Sequence, residues 1–137
     1  FFGQFLLLHG DICINRGHAT AAMEKVIRDG KLWLSRGASV AVFPEGTRSK
    51  DPDGKMLPPK AGVALIAKAT HSDVLPACIY FEGKSKFRKK ITVRFGEVIP
   101  YEELGLTDES NMSEIKDASR LVMGKIGELL EKGHEKD

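Results

Sequence analysis

Ser39-Val40-Ala41-Val42-Phe43 runs directly into Pro44-Glu45-Gly46-Thr47-Arg48-Ser49. The first five residues are apolar or small and β-branched in alternation, which predicts a buried strand, and Pro44 with Gly46 closes it. A buried strand ending in a glycine turn is the signature of a layered α/β domain when helices stand on either side. Upstream, Thr20 to Arg36 carries Met23, Val26, Ile27, Leu32, Trp33 and Leu34 mostly at helical spacing, with Gly30 a point where the helix could split or kink. Further upstream, Asp11-Ile12-Cys13-Ile14-Asn15 reads as a second strand between Gly10 and Arg16-Gly17.

Downstream, Lys50 to Pro59 (KDPDGKMLPP) has loop composition, and Ala61 to Thr70 reads as a short apolar helix. Asp73 to Phe81 is strand-like, with Pro76 placing it at a sheet edge or a strand start. Ile91 to Val98 alternates well enough for a further strand. The last helix carries the clearest signals: Asn111 as cap, Glu114 as its capping partner, and Gly133 as the stop. Its apolar face is Ile115, Ala118, Val122, Ile126 and Leu129, with Lys116, Asp117, Arg120, Lys125 and Glu128 on the others. The expected fold is α/β, with a mostly parallel or mixed central sheet flanked by helices and a C-terminal amphipathic helix.

Composition agrees with one globular domain. The chain has 137 residues, 42% hydrophobic and 29% charged, which argues against disorder, fibre and coiled coil. Its net charge of +2 is too small to argue for duplex nucleic acid, so no nucleic-acid partner is expected. Two cysteines, Cys13 and Cys78, support neither a disulfide framework nor a four-cysteine metal site, and they read as buried reduced strand residues. Phe1 to Leu8 is apolar but far short of the roughly 20 residues a bilayer span takes. It reads as the inside of an element, and the chain as a piece of something longer.

Ligands of open α/β sheets collect beyond the carboxyl ends of the strands. Arg16 and Arg48 follow the two buried strands and would converge there. Two guanidinium forks suit a phosphate, because each donates paired hydrogen bonds to adjacent oxygens. Gly46 permits close backbone approach, and the Thr47 hydroxyl and nearby amides add uncharged donors. Glu45 is either the partner that orients an arginine or an acceptor for a substrate hydroxyl. The alternative is that each arginine simply pairs with a surface carboxylate.

Phe43-Pro44-Glu45-Gly46-Thr47-Arg48-Ser49 resembles the FPEGTRS block of the glycerolipid acyltransferases, the 1-acylglycerol-3-phosphate (lysophosphatidic acid) acyltransferase family. Gly10 to Gly17 resembles the family's block of a strand ending in arginine, and Lys60-Ala61-Gly62 resembles its Lys-x-Gly. Val74-Leu75-Pro76-Ala77-Cys78-Ile79 resembles its valine-proline strand. The resemblance spans about residues 3 to 100. It implies that residues 1–137 are the C-terminal portion of one acyltransferase domain truncated at its N-terminus. It further implies that Arg16 and Arg48 hold the phosphate of a lysophospholipid acceptor, with Glu45, Gly46 and Thr47 shaping the site and Lys60 as a further phosphate ligand. The implied donor is acyl-CoA or acyl carrier protein, and the implied setting is the cytoplasmic side of a membrane. No cofactor and no metal is implied. Asn15 departs from the family's usual aspartate before the arginine, and Leu75 and Ala77 stand where valines are more usual.

The family's chemistry rests on a His-x-x-x-x-Asp block whose histidine deprotonates the acceptor hydroxyl. Five residues after His9, His18 and His71 stand Ile14, Met23 and Pro76, and His134 is too close to the end. No catalytic residue is therefore expected in this chain: the dyad would lie before Phe1 in a longer parent, and the four histidines read as surface or packing residues. A non-catalytic phospholipid-binding module is the reading from another class. Acylation of glycerol 3-phosphate or another lysolipid is the alternative within the enzyme class. Lys84, Lys86, Arg88, Lys89 and Lys90 form a basic cluster that either meets anionic headgroups or an acidic acyl donor, or is a solvated loop. Trp33 reads as core rather than as a membrane anchor.

Overall fold

The computed structural model describes residues 19–47, 55–82 and 90–134, in two compact units comprising residues 1–42 and 43–137. The expected strand at Asp11–Asn15, Arg16, Arg48, Cys13, His9, His18 and residues 84–89 of the basic cluster lie outside the described residues.

In the first unit, helix α1 (Ala19–Ser35) is continuous through Gly30, which is buried within it. A single interior glycine costs about 1 kcal/mol relative to alanine, which a helix of this length absorbs without a break. The helix ends in a Schellman motif. Gly37 adopts φ +78°, and its N–H donates to the Leu34 carbonyl at 3.0 Å. The Ala38 N–H reaches back to the Trp33 carbonyl at 3.1 Å. Trp33 is half-buried, with the Arg36 guanidinium 5.8 Å from its ring centroid. Lys25 bonds Asp29 one turn on and holds its carboxyl below the usual carboxylate value. Residues 39–43, expected as a buried strand, form no ladder among the described residues. Val40 and Val42 are half-buried between exposed neighbours, so the period-2 alternation survives, but Phe43 is 77% exposed. Alternation describes an extended chain; a strand also needs a hydrogen-bonded partner.

The second unit is built on two helices, α2 (Gly62–Thr70) and α3 (Met112–His134). The start of α3 is a full capping box. The Asn111 Oδ1 accepts from the Ser113 and Glu114 N–H groups at 2.8 and 3.2 Å, while the Glu114 carboxylate accepts the Asn111 N–H at 2.7 Å. Ile115, Ala118 and Val122 are buried as their spacing predicts, and the charged residues of the other faces are exposed. Sequence reading omitted Ser119 and Met123 from this face; Ser119 is buried and satisfies its hydroxyl on the Ile115 carbonyl at 3.0 Å. Contrary to expectation the helix runs past Gly133 to His134, because a glycine disfavours helix without terminating it unless the chain turns left-handed there. Ala64 and Ala67 of α2 join Ile99, Leu104 and Leu106 against α3 to form the core. Small residues on α2 let the two helices approach closely.

Strands β1 (Ala77–Glu82) and β2 (Lys90–Phe95) pair antiparallel in the register Ala77↔Phe95 to Glu82↔Lys90. Among the described residues this is the whole sheet, so the observed architecture is helices with a two-stranded antiparallel sheet; no parallel pair occurs among them. The reason is the connection, residues 83–89, which is too short for the crossover of a dozen or more residues that parallel strands need. Pro76, lacking an N–H, stands just before β1, as its chemistry requires, and its carbonyl accepts the Gly96 N–H at 2.8 Å. Beyond it a bridge joins Val74 to Ile99, so Gly96, Glu97 and Val98 bulge opposite Leu75 and Pro76. Cys78 is buried and free, as expected. On the opposite face of the hairpin Ile79, Ile91, Val93 and Phe95 are exposed. No helix among the described residues is long and apolar enough to cross a membrane.

His71 caps α2 at φ +52°, stacks on Tyr101 at 4.7 Å and bonds Asp108 at 2.8 Å, which makes it a surface packing residue. Lys68 ties the same end of α2 to the Ser110 carbonyl at 2.9 Å.

Two stability predictions follow from these contacts. Asn111→Ala removes the cap acceptor and should lower unfolding free energy by about 1 kcal/mol in urea titrations, with Asn111→Asp retaining most of it. The Tyr101 hydroxyl is buried without a hydrogen-bond partner among the described residues, and burial raises its pKa above the ordinary 10.0, with Asp108 and Glu102 adding to the shift. The folded state therefore prefers the neutral phenol. That stability is complete below the unfolded pKa and is lost as pH rises through the folded one. Tyr101→Phe should flatten the alkaline fall in stability measured on either side of that value.

Candidate functional site

The expected site residues that fall within the described chain are Glu45, Gly46, Thr47 and Lys60, and the second unit brings them together. Phe43 to Gly46 forms a β-turn, with the Gly46 N–H donating to the Phe43 carbonyl at 3.0 Å. Pro44 presets the turn's first corner, and Gly46 leaves it at φ +67°, the left-handed region that a side chain disfavours.

The segment before α2 is strapped onto this turn at two points. The Lys60 N–H donates to the Pro44 carbonyl at 2.7 Å, and the Leu57 N–H donates to the Glu45 Oε2 at 2.7 Å. The strap lays the Lys60 stem over the glycine: a Cβ placed on Gly46 would stand 3.2 Å from Lys60 Cγ. Thr47 and Lys60 are exposed, and Glu45 is half-buried. Among the described residues no carboxylate pairs with the Lys60 ammonium. Just beyond it, Ala61 provides no side-chain cap for α2, so the first N–H groups of that helix carry a partial positive charge that their cap residue does not offset. The ammonium and the Thr47 hydroxyl suit an anion, and no group of metal-ligating side chains occurs among the described residues.

Within the described residues the Glu45 carboxylate holds a backbone N–H through one oxygen, a contact that was not foreseen. Leu57, its partner, and Met56, whose methyl would stand 3.0 Å from a Cβ on Gly127 of α3, were not foreseen. No periodicity or motif marks a contact across a loop. Arg16 and Arg48 lie outside the described residues, and so does their expected convergence.

A family model described as Acyltransferase matches residues 1–80. The chain belongs to the acyltransferase family. It is 36% identical over 75 residues to the 1-acyl-sn-glycerol-3-phosphate acyltransferase of Cocos nucifera, covering 55% of this chain and 24% of that protein. The Escherichia coli enzyme of the same name is 34% identical over 79 residues, covering 58% of this chain and 31% of the enzyme. The human 1-acyl-sn-glycerol-3-phosphate acyltransferase beta is 28% identical over 113 residues, covering 77% and 40%. The chain thus matches about a quarter to two-fifths of the length of these acyltransferases. No solved structure matches.

Gly46→Ala should cost about 1–2 kcal/mol for left-handed backbone and also displace Lys60. Gly105, at φ +66° with nothing near its missing Cβ, is the control. Gly105→Ala should show a similar loss in urea unfolding without moving the Lys60 amide resonance, which Gly46→Ala should move.

Proposed function

We propose that this chain carries the acceptor-phosphate site of an enzyme that acylates 1-acylglycerol 3-phosphate to phosphatidic acid in phospholipid biosynthesis. The observation that supports it best is the Lys60 stem lying on Gly46, which joins the two motif blocks of the family resemblance into one cationic, donor-rich corner. In this reading Lys60, Thr47 and the turn at Gly46 bind the phosphate together with Arg16 and Arg48, and Glu45 shapes the corner. The acceptor hydroxyl attacks the carbonyl carbon of an acyl thioester, the carbon–sulfur bond breaks, and the thiol leaves with the proton that a general base takes from the hydroxyl. The donor is acyl-CoA or acyl carrier protein, and the site works at the cytoplasmic side of a membrane surface.

The chain has no histidine with aspartate five residues on. The general base that this reading requires is therefore not assigned to a histidine of these residues. The contribution of such a base is about 10²–10⁴-fold in rate.

The test is to titrate the 137-residue chain with glycerol 3-phosphate and to assay it with acyl-CoA and lysophosphatidic acid. Binding without turnover is expected. Loss of one charge-assisted contact in Lys60→Ala should weaken binding about tenfold. Turnover by the chain alone would reveal a base among its own residues. Unchanged affinity in Lys60→Ala would remove Lys60 from the site.

A further inference from the structure

We infer that Glu45 is a positioning residue: its carboxylate clasps the Leu57 amide and, through two prolines, sets the place of Lys60. This deepens the acceptor-phosphate reading and rests on it for the ligand, while the clasp itself is a property of the chain alone.

The segment between the two strap bonds is Leu57-Pro58-Pro59-Lys60. Proline fixes φ near −65° and also restricts the residue before it to extended backbone. Leu57 and Pro58 each precede a proline, so little torsional freedom remains between the Leu57 amide and Lys60. Anchoring Leu57 therefore fixes where Lys60 arrives, and the Lys60 N–H meets the Pro44 carbonyl at 2.7 Å. Both acceptors belong to one turn: a side-chain oxygen of Glu45 and the main-chain oxygen of Pro44. A bond from an N–H to an ionised carboxylate is stronger than one to a neutral acceptor. It closes a gap of 12 residues in sequence. The Met56 contact at Gly127 adds an apolar anchor just before the clasp.

The sign of the effect separates this role from its rivals. A carboxylate beside an anion site repels the anion, so if Glu45 only stood nearby, removing its charge would tighten binding. If Glu45 accepted a hydroxyl of the acceptor, its loss would weaken glycerol 3-phosphate and leave inorganic phosphate untouched. A clasp predicts weakening of both ligands by the same factor, and rescue by a neutral residue that still offers an oxygen.

The experiment combines amide hydrogen exchange with phosphate titration on the 137-residue chain, comparing Glu45→Ala, Glu45→Gln and wild type. In Glu45→Ala the Leu57 and Lys60 amides should exchange at least about tenfold faster. Amides of α3 should be unchanged, which confirms that the variant is folded. Inorganic phosphate and glycerol 3-phosphate should both weaken about tenfold. Glu45→Gln should stay close to wild type in both measurements. Unaltered Leu57 and Lys60 exchange in Glu45→Ala overturns the clasp. So does tighter phosphate binding, or a loss confined to glycerol 3-phosphate. Absence of phosphate binding by wild type would instead overturn the acceptor-phosphate reading, with the exchange data still deciding the clasp.

Discussion

The contact between the Lys60 main chain and the Pro44 carbonyl ties the start of α2 to the glycine turn, and the candidate site exists because of it. The turn alone offers a left-handed glycine and a few amides, and the helix alone offers an uncapped end. Held 2.7 Å apart at the backbone, they become one corner with the lysine stem over the glycine. Gly46 meets two constraints with one residue, since it must adopt φ +67° and must also leave room for the lysine stem. A side chain there would conflict with both.

That corner needs a fixed floor, which the helix pair supplies. α2 is only nine residues long and would be marginal as an isolated helix in water. It persists because Ala64 and Ala67 bury against α3, and because Lys68 and His71 tie its far end to the segment that leads into the α3 cap. α3 is in turn set by the Asn111–Glu114 capping box, which fixes where its apolar face begins. The same helix reaches the site's strap through Gly127, where the missing side chain admits Met56. The bulge around Gly96 packs nearby on Leu129. The candidate site is thus carried by the last helix of the chain, although none of its own residues lies there.

Much of this was legible locally. The α3 cap, most of its buried stripe, the short helix expected at 61–70 and a strand within 73–81, which begins only after Pro76, follow from interactions within a few residues, where side-chain spacing and backbone chemistry decide. The strand expected at 39–43 shows the boundary of that reasoning. Its alternation of half-buried and exposed residues is local and present, but a ladder depends on what lies alongside, and none pairs with it among the described residues. The α/β class was inferred from alternating elements; among the described residues it is represented by helices and one antiparallel hairpin, whose form follows from the brief link between β1 and β2. Gly133 was overread, as a stop rather than as a propensity cost.

By itself the sequence determined which residues could bind an anion, because charge, hydroxyl and glycine are properties of residue type, and the motif blocks carry family membership in their order. It also determined the N-terminal cap and most of the apolar face of α3, since those interactions span one or two turns. Only the tertiary structure decided that Glu45 holds Leu57, that Lys60 lies on Gly46, and that Met56 sits against Gly127. These contacts join residues brought together by chain reversal. Their energies depend on distance in space, which no spacing along the chain encodes.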